Sequence, residues 1–349
     1  MAQSRRFPHQ ASPAHAAELE FAAGLLPLWG LQENAVVSLA DEQGVNNQTF
    51  LLRHRQQRYV LRVTGFLTAA EVSAEHRILR RLRLGDLPFQ VPEPVPAADG
   101  RTVIDTPAGP ATLCRWLPGV RPGVGSEMAF ERLGRAVGLV DAALADVPLA
   151  VALRDWRTDP RSVRAEDPPA DSLVDELREA GMGAEQAGLL TAAADRAGRW
   201  WSGTGGLPGQ VIHGDLTPAN FLADPGTGEV IGLLDFELAG AGFRVQDTMA
   251  ALYYSTALTT PDWPRRTAAL LRGCSSVNRL DPAEVAALPE LLNAQSLGSV
   301  LWRAVRWRAG LAHFGDVIAR VEKLEASTRW LAANEGTLQF VATAANAAP

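Results

Sequence analysis

The sequence predicts an α+β protein of two lobes, a small N-terminal lobe with an antiparallel sheet and one helix, and a larger, mainly helical C-terminal lobe. Three observations predict it. Short apolar runs separated by turns fill 35–63 and give way to a helix-period stretch. Helical periodicity then dominates 127–145, 173–201 and the chain from 288 onward, broken by two brief apolar runs at 211–212 and 230–234. A chain of 349 residues, 47% hydrophobic, is long enough to build two sizeable cores. The boundary falls in the strand before the hinge, giving lobes 1–114 and 115–349.

In chain order, strands are expected at 35–39, 48–53 and 57–63. The stretch Asp41-Glu-Gln-Gly-Val-Asn-Asn47 makes a polar, glycine-containing tip between the first two. A helix over 68–84 follows. Four prolines in 88–96 and the Asp99-Gly100 turn lead to a strand at 111–119 that ends in Leu117-Pro118-Gly119, as a lobe-joining hinge would. After the amphipathic helix at 127–145 comes a polar, proline-containing linker at 159–169, then helix 173–201. The runs 211–212 and 230–234 are short, β-branched or leucine-rich, and bounded by Gly, Pro and Asp, as a buried strand pair would be. An apolar helix begins near Asp247. In the C-terminal third, Trp302, Trp307 and Trp330 stand among Arg303, Arg306 and Arg308. These form either an aromatic and basic pocket or a packed helix with snorkelling arginines.

A formal net charge of -6 without a long Lys/Arg run argues against nucleic acid as partner, because phosphate-backbone binding needs a concentrated basic face. The apolar stretch at 21–31 is broken by Gly24, Pro27 and Gly30, unlike a signal peptide or membrane span. Cys114 and Cys274 offer no disulfide framework. The expectation is a cytoplasmic protein with a small-molecule partner.

The polar residues concentrate where the two central apolar runs end, in Val211-Ile-His-Gly-Asp-Leu-Thr-Pro-Ala-Asn220 and Ile231-Gly-Leu-Leu-Asp-Phe-Glu237. Moving a phosphoryl group needs a carboxylate to orient and deprotonate an acceptor hydroxyl, plus oxygen ligands that hold Mg²⁺ against nucleotide phosphates. Asp215, Asn220 and Asp235 supply such groups. The spacing from His213 through Asp215 to Asn220 equals that of the protein-kinase catalytic loop, with Gly214 in the Arg position, and Asp235-Phe236-Glu237 stands where Asp-Phe-Gly would.

On these residues the chain resembles the aminoglycoside phosphotransferase and choline kinase superfamily, which includes homoserine kinase type II-like members and has a protein-kinase-like fold. The resemblance implies ATP and Mg²⁺ as cofactors, Asp215 as catalytic base, and Asn220 and Asp235 on the metal. It makes His213 and Asp247 supports of the catalytic loop, although Asp247 could equally be a helix N-cap. Gly44, Asn47 and Phe50 match a family flap that covers nucleotide phosphates, a segment that by itself reads as a hairpin turn. Arg62 stands at the phosphate-binding lysine position, and Lys323 is the chain's one lysine. Its helical partner is expected to be Glu75, with Glu71 as fallback, unless both are ordinary helix-face charges. Arg115, Trp116 and Leu117 are expected to meet the adenine. The implied activity is phosphorylation of a hydroxyl on a small molecule, an amino alcohol or hydroxy amino acid such as choline or homoserine. The alternatives are an aminoglycoside-type antibiotic acceptor or a catalytically inactive nucleotide-binding pseudokinase.

Overall fold

The computed structural model describes residues 13–31, 35–39, 47–157, 170–203, 206–255 and 257–347. The expected flap tip at 41–46, with Gly44, lies outside the described residues, as does the linker at 159–169. The chain divides into two compact units, Met1–Arg80 with Val91–Leu117, and Arg81–Gln90 with Pro118–Pro349.

The first unit is built on a five-stranded antiparallel sheet. Its strands are β1 (Ala35–Leu39), β2 (Asn47–His54), β3 (Gln57–Thr64), β4 (Ile104–Thr106) and β5 (Gly109–Arg115), in the order β1-β2-β3-β5-β4. The pleat sends alternate side chains to opposite faces. In β3, Tyr59, Leu61 and Val63 join Phe50, Leu52 and Leu113 in a core closed by Ala22 of α1 (Pro13–Leu25) and by Leu26 and Trp29 just after it. Val60 and Arg62 take the other face, with Arg62 in register between Thr49 of β2 and Thr112 of β5. Helix α2 (Ala69–Leu84) starts with a reciprocal cap. The Glu71 carboxylate accepts from the Thr68 backbone N–H at 2.8 Å, while the Thr68 hydroxyl accepts from the Glu71 N–H.

The second unit is mostly helical: α3 (Glu127–Ala145), α4 (Ala170–Glu179), α5 (Ala184–Trp201), α6 (Val245–Tyr254), α7 (Trp263–Ser275), α8 (Pro282–Arg308) and α9 (Phe314–Ala347). The single helix expected over 173–201 is two helices. Gly181 takes φ +109, outside the range a helix can continue through, and Gly183 then starts α5. Leu190, Leu297, Leu301, Val321 and Leu324 form one core of this unit. Where α3 crosses α7, glycines bring the backbones together: a Cβ on Gly134 would come within 1.9 Å of the Leu270 carbonyl oxygen, and one on Gly273 within 2.1 Å of that of Glu131. Two small antiparallel ribbons complete the unit. β6 (Gly209–Ile212) pairs with β9 (Gly240–Phe243), and β7 (Phe221–Ala223) with β8 (Val230–Leu233).

Candidate active site

Both polar motifs leave the ends of these ribbons. As β6 ends, Gly214 takes φ +80 at a point where a Cβ would meet the Leu238 carbonyl oxygen at 2.5 Å, so only glycine fits there. The amides on either side of this bend are held by one carboxylate. Asp247, wholly buried on α6, accepts from the His213 N–H at 2.7 Å and the Gly214 N–H at 2.9 Å. Its oxygens therefore serve the loop and not the start of its own helix.

His213 is a crosslink. The Leu234 carbonyl can only accept, so the 3.0 Å contact fixes the proton on Nε2 and leaves Nδ1 to accept from the Asp215 N–H at 3.2 Å. Full burial lowers its pKa to about 4, so the ring is neutral and spends both nitrogens on structure. In this way the His213–Asn220 loop and the Leu234–Glu237 loop are fastened together. A second tie runs from the Leu234 N–H to the Asn220 carbonyl at 2.8 Å.

The Asn220 amide nitrogen donates to Asp215 twice, to its Oδ2 and its carbonyl oxygen, each at 2.8 Å. The carboxylate is thereby held in one rotamer, and the Asn220 amide oxygen is turned away from it. Burial raises the Asp215 pKa to about 6, opposed by the Asn220 hydrogen bond and assisted by the charge of Glu237. Such a carboxyl is a stronger base than a solvated one and is still ionised at neutral pH. Asp235 follows β8 in the left-handed region at φ 65, ψ 64, which costs about 1 kcal/mol for a residue with a Cβ. Asn220 and Asp235 present hard oxygen donors, the set that suits Mg²⁺ or Ca²⁺ and not softer metals. They could supply two of the oxygens around a divalent cation, with phosphate oxygens and water filling the other positions.

Within the first unit, one Arg62 guanidinium nitrogen reaches both Glu75 oxygens, at 2.7 and 2.6 Å, and Glu75 is only 6% exposed. Glu75 is thus not a solvated helix-face charge. Glu71 is taken up by the α2 cap. The Arg115 N–H donates to the Glu93 carbonyl, and the Trp116 N–H to the Arg58 carbonyl, whose guanidinium lies 3.5 Å from the centre of the Trp116 ring. Leu117 ends the unit, and Asn47 opens β2.

The sequence assigns no firm role to several other residues of this unit. Asp141 on α3 is buried, and its Oδ1 has no hydrogen-bond partner. Burial, then the charge of Asp247, pushes its carboxyl well above the usual carboxylate range. Because two amides favour the charge on Asp247, the proton belongs on Asp141. Trp156 donates its indole N–H to the Leu238 carbonyl at 2.8 Å, buttressing the Asp235 turn from a segment that looks like plain loop in sequence. Glu237 and Arg306 are also buried, at 8% and 9% exposure, so Arg306 is not the snorkelling arginine its spacing suggests.

The profile of the "Phosphotransferase enzyme family" matches residues 39–288. The chain belongs to that family. Among relatives of this phosphotransferase, homoserine kinase of Rhodopseudomonas palustris is 29% identical over 280 residues, covering 76% of this chain and 78% of that one. A microcompartment-associated aminopropanol kinase superimposes with a TM-score of 0.72 at 23% identity, covering 90% of this chain and 98% of its own. An amicoumacin kinase solved with AMP-PNP and Ca²⁺ gives 0.66 at 18% identity, covering 89% and 93%. The fold is therefore the expected bilobal, protein-kinase-like one, and the chain is a small-molecule phosphotransferase acting on a hydroxyl group. Among the described residues no helix is long and apolar enough to cross a membrane.

Proposed function

We propose that this phosphotransferase uses ATP and Mg²⁺ to phosphorylate the hydroxyl of a small amino-bearing metabolite, with homoserine or a choline-like amino alcohol as the acceptor. The observation that carries this reading is the Asp215 carboxylate, raised in basicity by burial and fixed by Asn220 at 2.8 Å. The acceptor oxygen bonds to the γ-phosphorus as the bond from that phosphorus to the β,γ-bridging oxygen breaks. The hydroxyl proton passes to Asp215, leaving ADP and a phosphate monoester. Asn220 and Asp235 hold Mg²⁺, which when bound offsets the charge on the phosphate oxygens. Arg62, steadied by Glu75, binds the phosphates in place of the usual lysine. With the Arg115 and Trp116 amides already committed, adenine is met by the carbonyls of this stretch and by Leu117. The named relatives support the acceptor class, since one is a homoserine kinase and another an aminopropanol kinase. Both cysteines are free thiols, which supports a cytoplasmic location.

Asp215→Asn keeps the oxygen that Asn220 donates to and removes the base. It is expected to lower kcat by about 10³ while ATP-dependent thermal stabilisation persists. Turnover within tenfold of the parent would sink the assignment.

A further inference from the structure

A short strap at 154–157, between α3 and α4 in sequence, runs along β9 and reaches the turn that carries Asp235. Its backbone extends the β6–β9 ribbon: the Trp156 N–H donates to the Ala241 carbonyl at 2.7 Å, and the Ala241 N–H donates to the Arg154 carbonyl at 2.8 Å. So close an approach depends on Gly240, where a Cβ would stand 2.8 Å from the Arg154 Cβ and 3.0 Å from the Trp156 indole nitrogen. The other end of the strap is tied to α5, whose Trp201 indole N–H donates to the Arg157 carbonyl at 2.7 Å. With its backbone fixed in this way, the strap sends one side-chain donor to the turn, the Trp156 indole N–H, which meets the Leu238 carbonyl at 2.8 Å.

The Leu238 carbonyl is the point at which both phosphotransfer loops meet. It ends the single helical turn Phe236–Leu238 that follows Asp235, and its oxygen lies so near Gly214 that a Cβ there would stand 2.5 Å away. Asp235 itself is left-handed at φ 65, a conformation that a residue with a Cβ keeps only where its surroundings hold it. A half-buried carbonyl that loses its donor turns to find another. The peptide that would turn here is three residues from Asp235 and touches the loop of Asp215. We propose that Trp156 is a positioning residue for the divalent cation, its indole N–H holding the Leu238 carbonyl and, through it, the Asp235 turn in the conformation that takes the metal. This rests on the reading of Asp235 as a metal ligand. Groups that orient a ligand without touching the metal set affinity almost as strongly as the ligands do. A packing role alone would be filled by any large aromatic ring, so the N–H is what separates the two.

The test uses the full-length protein and AMP-PNP, whose affinity is measured by calorimetry once with MgCl₂ and once with EDTA. The ratio of the two affinities reports the metal, and the EDTA value of each variant is its own control for folding and for the nucleotide site. In the parent, Mg²⁺ should tighten AMP-PNP by about 30-fold or more. Trp156→Phe keeps the ring and removes the N–H, and should lower that ratio by about tenfold. Trp201→Phe removes the same kind of bond at the far end of the strap, and should lower Tm with the ratio unchanged. Gly240→Ala pushes the strap off the turn with the indole intact; it should reproduce the fall in ratio, and it decides the matter if Trp156→Phe does not fold. A parental ratio in Trp156→Phe, or in Gly240→Ala where that variant decides, means a packing role and overturns the proposal. An equal fall in Trp201→Phe also overturns it, because the effect then belongs to the strap as a whole. Asp235→Ala tests the reading underneath: its ratio should fall to near one, and a parental ratio there removes the metal assignment and the positioning role with it.

Discussion

At the scale of single residues, the buried carboxyls of Asp141 and Asp247 make opposite demands on the same few ångströms of interior. Asp247 accepts two backbone N–H groups and needs two acceptor oxygens. Asp141 has no such donors on its Oδ1 and is best kept neutral. Asp141→Asn should therefore be tolerated within about 1 kcal/mol of stability, whereas Asp247→Asn turns an N–H donor toward one of the amides and should cost about 2–4 kcal/mol together with most of the turnover. Chemical denaturation of the two variants side by side checks this, and equal losses would show that Asp141 is charged. Asp247 was legible only through the family resemblance, with a helix N-cap as the equal alternative. Asp141 stands where the family often has a His and could be given no role from the sequence, since nothing there shows what its helix docks against.

At the scale of elements, the α3–α7 crossing depends on missing side chains. Gly273→Ala would drive a methyl against the Glu131 carbonyl oxygen and the Arg135 backbone nitrogen, at 2.1 and 2.6 Å, neither of which can swing away as a side chain could. An expected loss of about 3 kcal/mol, seen as a lower Tm, follows from overpacking at such a contact. Gly298→Ala on α8 meets nothing within 4 Å and provides the control, with stability unchanged or slightly raised by better helix propensity. Most helix positions and the two central apolar runs were readable from periodicity and turn residues, but the runs pair with β9 and β7 and not with each other as expected, because a three- or four-residue partner carries too little pattern to announce itself. The break at Gly181 was not, because periodicity on both sides is helical and a glycine does not by itself announce a positive φ.

For the whole molecule, pH ties the site to global stability. His213 is folded as a neutral ring with its pKa lowered to about 4, against 6.5 for an ordinary imidazole. Its contribution is fully present above 6.5 and is lost as pH falls from there toward 4. His76, lowered to about 3, acts with the same sign. Asp215, raised to about 6, acts with the opposite one, its stability contribution being lost as pH rises from the ordinary carboxylate range through 6. A difference between variants isolates one group: His213→Gln should flatten the fall of unfolding free energy between pH 6.5 and 4 by about 1.4 kcal/mol per pH unit. Denaturant unfolding across that range measures it, and parallel curves for parent and variant would mean His213 is charged when folded. Long-range placement also explains what the sequence could not yield. Glu237, in the turn after Asp235, and Arg306, in the last turn of α8, are far apart in sequence, and only tertiary packing lets one feel the charge of the other.

The arginine at position 62 has a consequence for how such an enzyme is detected. Lys323, exposed on α9, is the only side-chain amine in the protein. If Arg62 takes the phosphates as proposed, nucleotide acyl phosphates, which tag kinases by acylating the amine beside the bound phosphates, would meet a guanidinium there and find nothing to acylate. An inventory of ATP-using enzymes assembled with lysine-directed reagents would pass over this protein while it turns over normally, whereas a photoactivated nucleotide, which needs no amine, would mark it.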